Sequence, residues 1–344
     1  MSYKNIIAAL LILLLASCNN QEIIYPDYAT KAGYFPYQTP IRTLILGKYE
    51  QGINENDNEQ RFEIGMTMSG VYENNEDRRV HFELDNSLLD NVANVQALSQ
   101  EYYTIETESP LTIPAGDTKG RITVQLNNAF FNDSLSFAPQ GEVNYVVPIR
   151  LTQLENLDTL LSGESVVENP DPVDPSHWNV LPQDYTLYGI KFINKYHGHY
   201  LRRGVDVMTD ASGNVVENEY HSEYVVKDEV VMVSTSGHQS VTLENTVRRG
   251  EKSSPGNLLL ELVFGNDDQC SIRSAEGDPY NISGSGTFVE EADEWGGKAR
   301  DVIYLDYNYT DAANNETHAV KDTLVIRDRA VTFEEFAIEL NENE

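Results

Sequence analysis

The densest set of reactive side chains lies in the stretch INKYHGHYLRRG, residues 193–204. It gathers Lys195, Tyr196, His197, His199, Tyr200, Arg202 and Arg203 around Gly198. Two histidines one residue apart share a face of a continuous strand, which is the spacing of a two-histidine metal site. Gly198 argues against that reading. It sits midway between two strand-like runs, LYGIKFINKY and YLRRGVDV, and glycine at such a point signals a hairpin, because it accepts positive φ at no steric cost. A reversal there takes the histidines out of a common row. No third ligand stands at a diagnostic spacing, so neither a metal nor a cofactor is assigned. Arg202 and Arg203 alternate along a strand and face opposite sides, which weakens a shared anion cradle.

Other motifs carry less. GSGTF (284–288) lacks the Lys-Ser/Thr tail and the following helix that a phosphate loop needs, and a sharply bent strand explains its glycines. Neither a G-x-S-x-G elbow nor an H-E-x-x-H helix is present. With 55 Asp and Glu residues, carboxylate pairs at any chosen spacing arise by chance, so no catalytic couple can be singled out. The loop EEADEWGGKARD is the better candidate for binding. Its Trp295, followed by two glycines, is suited to stacking on the apolar face of a sugar ring. Asp293 and Glu294 would accept hydroxyl hydrogen bonds, and Tyr200 would add a further aromatic contact. The structural alternative for Trp295 is a ring folded over a barrel end. The entry tyrosines Tyr25, Tyr28, Tyr34 and Tyr37 either line a surface or tie down the first strand.

The N-terminus and the charge bound the setting. Lys4 precedes the apolar run Ile6–Ala16, too short for the ~20 residues of a membrane-spanning helix. The run ends in Leu15-Ala16-Ser17-Cys18, the box of a lipoprotein signal, so a signal peptide is expected over 1–17 with Cys18 acylated as the anchor. The other cysteine, Cys270, shares a strand face with Ile272, as a buried structural thiol would. A net charge of −31 repels phosphate backbones and disfavours nucleic acid as a partner.

The elements that must position these residues are strands. Phe62, Ile64, Met66 and Met68 alternate with other residues; so do Val80, Phe82 and Leu84, then Ile122, Val124 and Leu126, then Tyr145, Val147, Ile149 and Leu151. Period two over short runs predicts half-buried antiparallel strands, and their number suggests an immunoglobulin-like β-sandwich. Pro148 fits an edge strand, and SLLDNVANVQAL (87–98) fits a short helix with Leu88, Val92 and Val95 on one face. The proline- and acid-rich ENPDPVDPS (168–176) reads as an extended linker, with Trp178 between the domains. Beyond it, eight to ten strands in sequence suggest an antiparallel up-and-down barrel of the lipocalin or calycin kind. The expected order is tether 18–40, sandwich 41–166, linker 167–180 and barrel 181–344, an all-β chain.

A resemblance adds to this reading. GYFPYQTPIRTLILG, DRRVHFELDNSLL, YYTIE, LTIPAG and NNAFFNDSLSF resemble the N-terminal module of Bacteroidota surface lipoproteins from glycan-utilisation loci, a module that also heads certain family-eighteen glycoside hydrolases. WNVLPQDYTLYGIKFINKYHGHYLRRG, GSGTFVEE and RDVIYLDYNYTD resemble the β-barrel module of uncharacterised function that follows it in non-catalytic members. The resemblance implies a lipoprotein of the outer membrane, facing outward, that holds a glycan beside an outer-membrane transporter complex. It supplies no functional residues to carry over. The D-x-x-D-x-D-x-E motif of a family-eighteen hydrolase is missing from the sequence. The expectation is a non-enzymatic glycan binder; the alternatives are an adhesion or structural subunit that binds a partner protein, and an unrecognised glycan hydrolase.

Overall fold

A computed structural model of the protein describes residues 26–248 and 256–341. The signal peptide, Cys18 and Tyr25 lie outside the described residues. Among the described residues no helix is long and apolar enough to cross a membrane.

The first domain contains β1 (Ala32–Tyr34), β2 (Pro40–Ile45), β3 (Arg61–Ser69), β4 (Arg78–Leu84), β5 (Gln96–Ala97), β6 (Tyr103–Ile105), β7 (Leu111–Ile113), β8 (Lys119–Leu126), β9 (Tyr145–Glu155), β10 (Thr159–Leu160), β11 (Glu164–Ser165), β12 (Trp178–Val180) and β13 (Tyr185–Ile193). One layer runs β10-β1-β3-β8-β6. The facing layer includes β2-β13-β9-β4-β7. Period two does the work the sequence assigns it. Phe62, Ile64, Met66 and Met68 on β3 and Ile122, Val124 and Leu126 on β8 are all buried, and they meet Val80, Val147, Ile149 and Leu151 from the other layer in one core. Each such side chain contributes about 1.5–3 kcal/mol by leaving water. The result is a β-sandwich.

The second domain comprises β14 (Gly198–Thr209), β15 (Val215–Tyr220), β16 (Glu229–Gly237), β17 (Ser240–Thr246), β18 (Asn257–Phe264), β19 (Gln269–Ser274), β20 (Ser283–Trp295), β21 (Lys298–Asp311) and β22 (Glu316–Asp328). Antiparallel pairing runs β14-β16-β17-β18-β19-β20-β21-β22 and closes through β14–β22, which gives an eight-stranded barrel. β15 pairs only with the second half of β14 and stands outside the closed ring. After the barrel, β23 (Glu334–Glu335) returns to the sandwich and pairs with β2. Phe336 then buries itself there, and Leu340 forms a bridge with Val92.

Several sequence expectations are corrected by this topology. The barrel does not begin at residue 181: β13 pairs in parallel with β2 and antiparallel with β9, so it belongs to the sandwich. It is buried almost throughout, and its apolar run reads equally well as a central strand. The tether likewise does not extend to residue 40, because β1 is already an ordered strand on β3. Residues 168–176 are not a bridge between domains. Val173 is buried in the sandwich, Trp178 donates its indole N–H to the Asp171 carbonyl at 2.8 Å, and β12 pairs with β11. Pro148 is on a central strand. Its carbonyl accepts from Asp85, just past the end of β4, so its missing N–H falls where the ladder has already ended. Leu88, Val92 and Val95 are buried without a helix; Asp85 caps a single 3₁₀ turn at Asn86–Leu89, and Asn94 ties the following chain to Ala337 and Glu339.

Gly198 does not turn a hairpin either. β13 and β14 lie in different domains, joined by the crossover at 194–197. The glycine is needed because a Cβ there would meet the Asp328 carbonyl oxygen at 2.4 Å, with φ at +155°.

A buried side chain ties the end of the barrel to two segments of the sandwich side. Arg329, at the end of β22, donates to the carbonyls of Leu46 (3.1 Å) and Lys48 (2.7 Å) beyond β2, and to Asn194 (2.7 Å) and His197 (2.8 Å) in the crossover. Nearby, buried Lys191 pairs with Glu334 at 2.9 Å and donates to the carbonyls of Pro139 and Glu142. Replacing Arg329 by Met leaves these carbonyls without their charged donor. Hydrogen bonds to charged groups contribute about 1.5–3 kcal/mol each, so we expect R329M to cost about 3 kcal/mol or more. Calorimetry should resolve its melting into separate sandwich and barrel transitions.

Candidate functional site

Trp295 lies at a hairpin tip, where Gly296 and Gly297 both take positive φ between β20 and β21. Its ring is not free to stack on a ligand. It packs outside the barrel on Leu201, Val302 and Val325, it donates Nε1–H to the Ile326 carbonyl at 3.0 Å, and the Arg300 guanidinium covers it at 4.1 Å. Arg300 is held in turn by Glu50. Asp293 accepts from the Glu294 backbone N–H, and the Glu294 side chain is exposed. Tyr200 is fully buried inside the barrel and donates to the Tyr196 carbonyl, so it cannot meet a ligand beside Trp295. The expected constellation is therefore not brought together.

The barrel interior is filled. Its alternate inward residues include Tyr200, Leu260, Leu262, Ile303 and Leu305. A polar network lies among them: Arg202 meets Asp322 at 3.1 Å, Asp322 accepts from Tyr307 and Tyr220, and Asn245 donates to Tyr307 at 2.6 Å. Arg203 faces outward to Asp228 at 2.6 Å, as alternation requires. His318 pairs with Asp206 at 2.9 Å and stacks on Tyr309. Burial pushes the Cys270 thiol up to about 12, as suits a packing residue. In GSGTF, Gly284 and Gly286 admit the backbone of β21, whose carbonyls a Cβ would meet at 2.4 and 2.6 Å.

Of the hollows outside the barrel, two gather candidate binding groups. The first is about 320 Å3 in volume, on the sandwich. Tyr37, from the entry segment, and Phe333, from the chain returning after the barrel, stand over it with ring centroids 5.0 Å apart and planes at 51°. They remain 47% and 66% exposed, although Phe35, Met66 and Tyr188 beneath them are largely covered. Gly65, mid-strand on β3, contributes to the floor: a Cβ there would meet nothing within 4 Å. At the edge, Arg42 is committed to buried Asp57. Lys119 has no ion-pair partner among the described residues. Proximity in sequence could not reveal this pair, since its members come from opposite ends of the chain; the tyrosine-rich entry segment was the available signal.

The second hollow, about 580 Å3, lies between the barrel wall and the sandwich. His197 and His199 both line it, with Phe192 and Lys191 from β13, Met232 and Ser234 from β16, and Thr242 from β17. His197 Nδ1 accepts the Thr235 backbone N–H at 3.0 Å, and His199 Nδ1 lies 2.7 Å from Asp328 Oδ1. Among the described residues no group of three or more His, Cys, Asp or Glu is placed to hold a metal ion, so the pair lacks the further ligands of a metal site. Burial, with a smaller push from the Arg329 charge, drives the His197 imidazole down to about 3. A histidine depressed in the folded state binds more protons when unfolded, so stability falls as pH drops below about 6.5 and the loss levels off near 3. Denaturation midpoints between pH 7 and 4 should fall more steeply for the parent protein than for H197Q.

Comparisons place this architecture. A family described as a domain of unknown function, DUF5627, matches residues 195–330, and a family described as an N-terminal domain matches 28–158. A search of curated proteins gives no match. A crystal structure of a Bacteroides ovatus protein of unknown function is 34% identical, covers 92% of this chain and 100% of its own, and superposes with a TM-score of 0.82. An auxiliary nutrient binding protein from Bacteroides thetaiotaomicron, 15% identical with a TM-score of 0.40 over 87% of this chain and 95% of its own, is too distant to carry an argument. By its identity over nearly its whole length to the B. ovatus protein, the chain belongs to that protein's family, a two-module family in which the N-terminal domain is followed by DUF5627.

Proposed function

We propose that this protein is a non-catalytic, outward-facing lipoprotein of the outer membrane that holds glycans through the Tyr37–Phe333 platform. The observation that carries the reading is the exposure of two large aromatic rings, tilted to one another over a hollow. A pyranose offers one apolar face and a rim of hydroxyls. Tilted aromatic faces cover the first, and the Tyr37 hydroxyl and Lys119 ammonium, which line the hollow, answer the second. The lipoprotein box at Cys18 supports the surface setting, and a transporter complex of the same membrane is the proposed neighbour.

Affinity electrophoresis and calorimetry against a panel of polysaccharides test the site. Tyr37→Ala and Phe333→Ala should each weaken binding about tenfold, which is ~1.4 kcal/mol, whereas Trp295→Ala should leave affinity unchanged. No binding across host and dietary glycans would sink the reading. The anchor is tested separately: the parent chain should incorporate labelled palmitate and fractionate with outer membranes, and C18A should do neither.

A second reading has one observation behind it. The Pro36, Pro40, Ile41 and Met66 lining would also seat an apolar side chain of a protein partner. Sugar-independent capture of a partner by the parent chain, lost in F333A, would favour it.

A further inference from the structure

The cleft between barrel and sandwich holds two histidines in opposite tautomers. A backbone N–H can only donate, so His197 Nδ1, which accepts from Thr235, carries a lone pair and the ring proton sits on Nε2. A carboxylate only accepts, so His199 Nδ1 carries the proton given to Asp328, and Nε2 of the neutral ring keeps the lone pair. Neither Nε2 has a protein partner among the described residues. The wall therefore presents one donor and one acceptor from positions two residues apart on the chain.

The cleft's charges are internally offset. Lys191 is satisfied by Glu334 and two carbonyls, and Glu334 also accepts from the Gly141 N–H. Met232 supplies apolar surface, and Thr242 occupies an outward position of β17. These features exclude a strongly charged ligand and favour a neutral ring bearing a group whose donor and acceptor are separate atoms next to a methyl. An acetamido group has that form.

We propose that this cleft is a second carbohydrate subsite, for an N-acetylated neutral sugar whose amide carbonyl accepts from His197 Nε2–H and whose amide N–H donates to His199 Nε2. The inference rests on the reading of the protein as a glycan binder, but on a different surface from the Tyr37–Phe333 platform.

NMR titration of the mature chain with N-acetylglucosamine and with glucose separates the two. The acetamido sugar should bind at least tenfold tighter than glucose. That preference should vanish in His199→Phe and in the cleft-filling Thr242→Trp, survive in His199→Gln, which keeps an acceptor, and be unaffected by Tyr37→Ala combined with Phe333→Ala. Melting temperatures equal to the parent's show that the variants are folded. Equal affinity for the two sugars, or acetamido binding that persists in Thr242→Trp, overturns the inference. Polysaccharide binding that needs Tyr37 and Phe333, without any response to the monosaccharide, overturns the cleft subsite alone. Monosaccharide binding without polysaccharide binding overturns the platform alone.

Discussion

Arg329 is the constraint on which the arrangement of this molecule turns. Its guanidinium is buried and bonded to carbonyls alone, two on each of two chain segments. Desolvation lowers its pKa, yet guanidinium stays charged in proteins, so the charge must be answered by dipoles. Those dipoles belong to the turn after β2 and to the crossover into the barrel. Fixing them fixes where His197 sits and where the chain leaves β22 to become the segment that carries Phe333. The cleft between barrel and sandwich, which His197 lines, therefore takes part of its geometry from this side chain.

The barrel contributes to these hollows as a wall, not as a container. Burying the Arg202–Asp322 pair costs desolvation energy, and Tyr307, Tyr220 and Asn245 offset it by answering the remaining lone pairs and protons. With the interior spent on packing and on this network, the barrel leaves its outer face for any ligand. There, outward positions of β14, β16 and β17 look across at the edge of the sandwich.

Period-two alternation was legible because burial on one strand face leaves it in any sequence. It disclosed both β domains and the opposed Arg202 and Arg203. Where an apolar run is buried on both faces, as in β13, alternation is lost and the strand's domain cannot be told from its neighbours. Gly198 stands out in the sequence as a turn residue, but its cause is the close approach of the residue 328 backbone, which leaves no local trace. Trp295 illustrates the same limit: Arg300 and the Ile326 carbonyl, which occupy its ring and its N–H, arrive from other strands. The Tyr37–Phe333 pair needed the return of the chain through β23, a pairing that no local pattern announces.

That return has a mechanical consequence. Because β23 rejoins β2 and Leu340 bridges to Val92, the described chain enters and leaves through the sandwich, and the barrel hangs from it as an inserted loop. Tension applied between residues 26 and 341 would be borne by sandwich hydrogen bonds, and the load path would bypass the barrel. The crossover leaves from β13 and the return strand β23 rejoins β2 on its opposite side, so the barrel is held at two points. On the proposed reading, a polymer pulling at the Tyr37–Phe333 platform would load the sandwich and leave the cleft at rest.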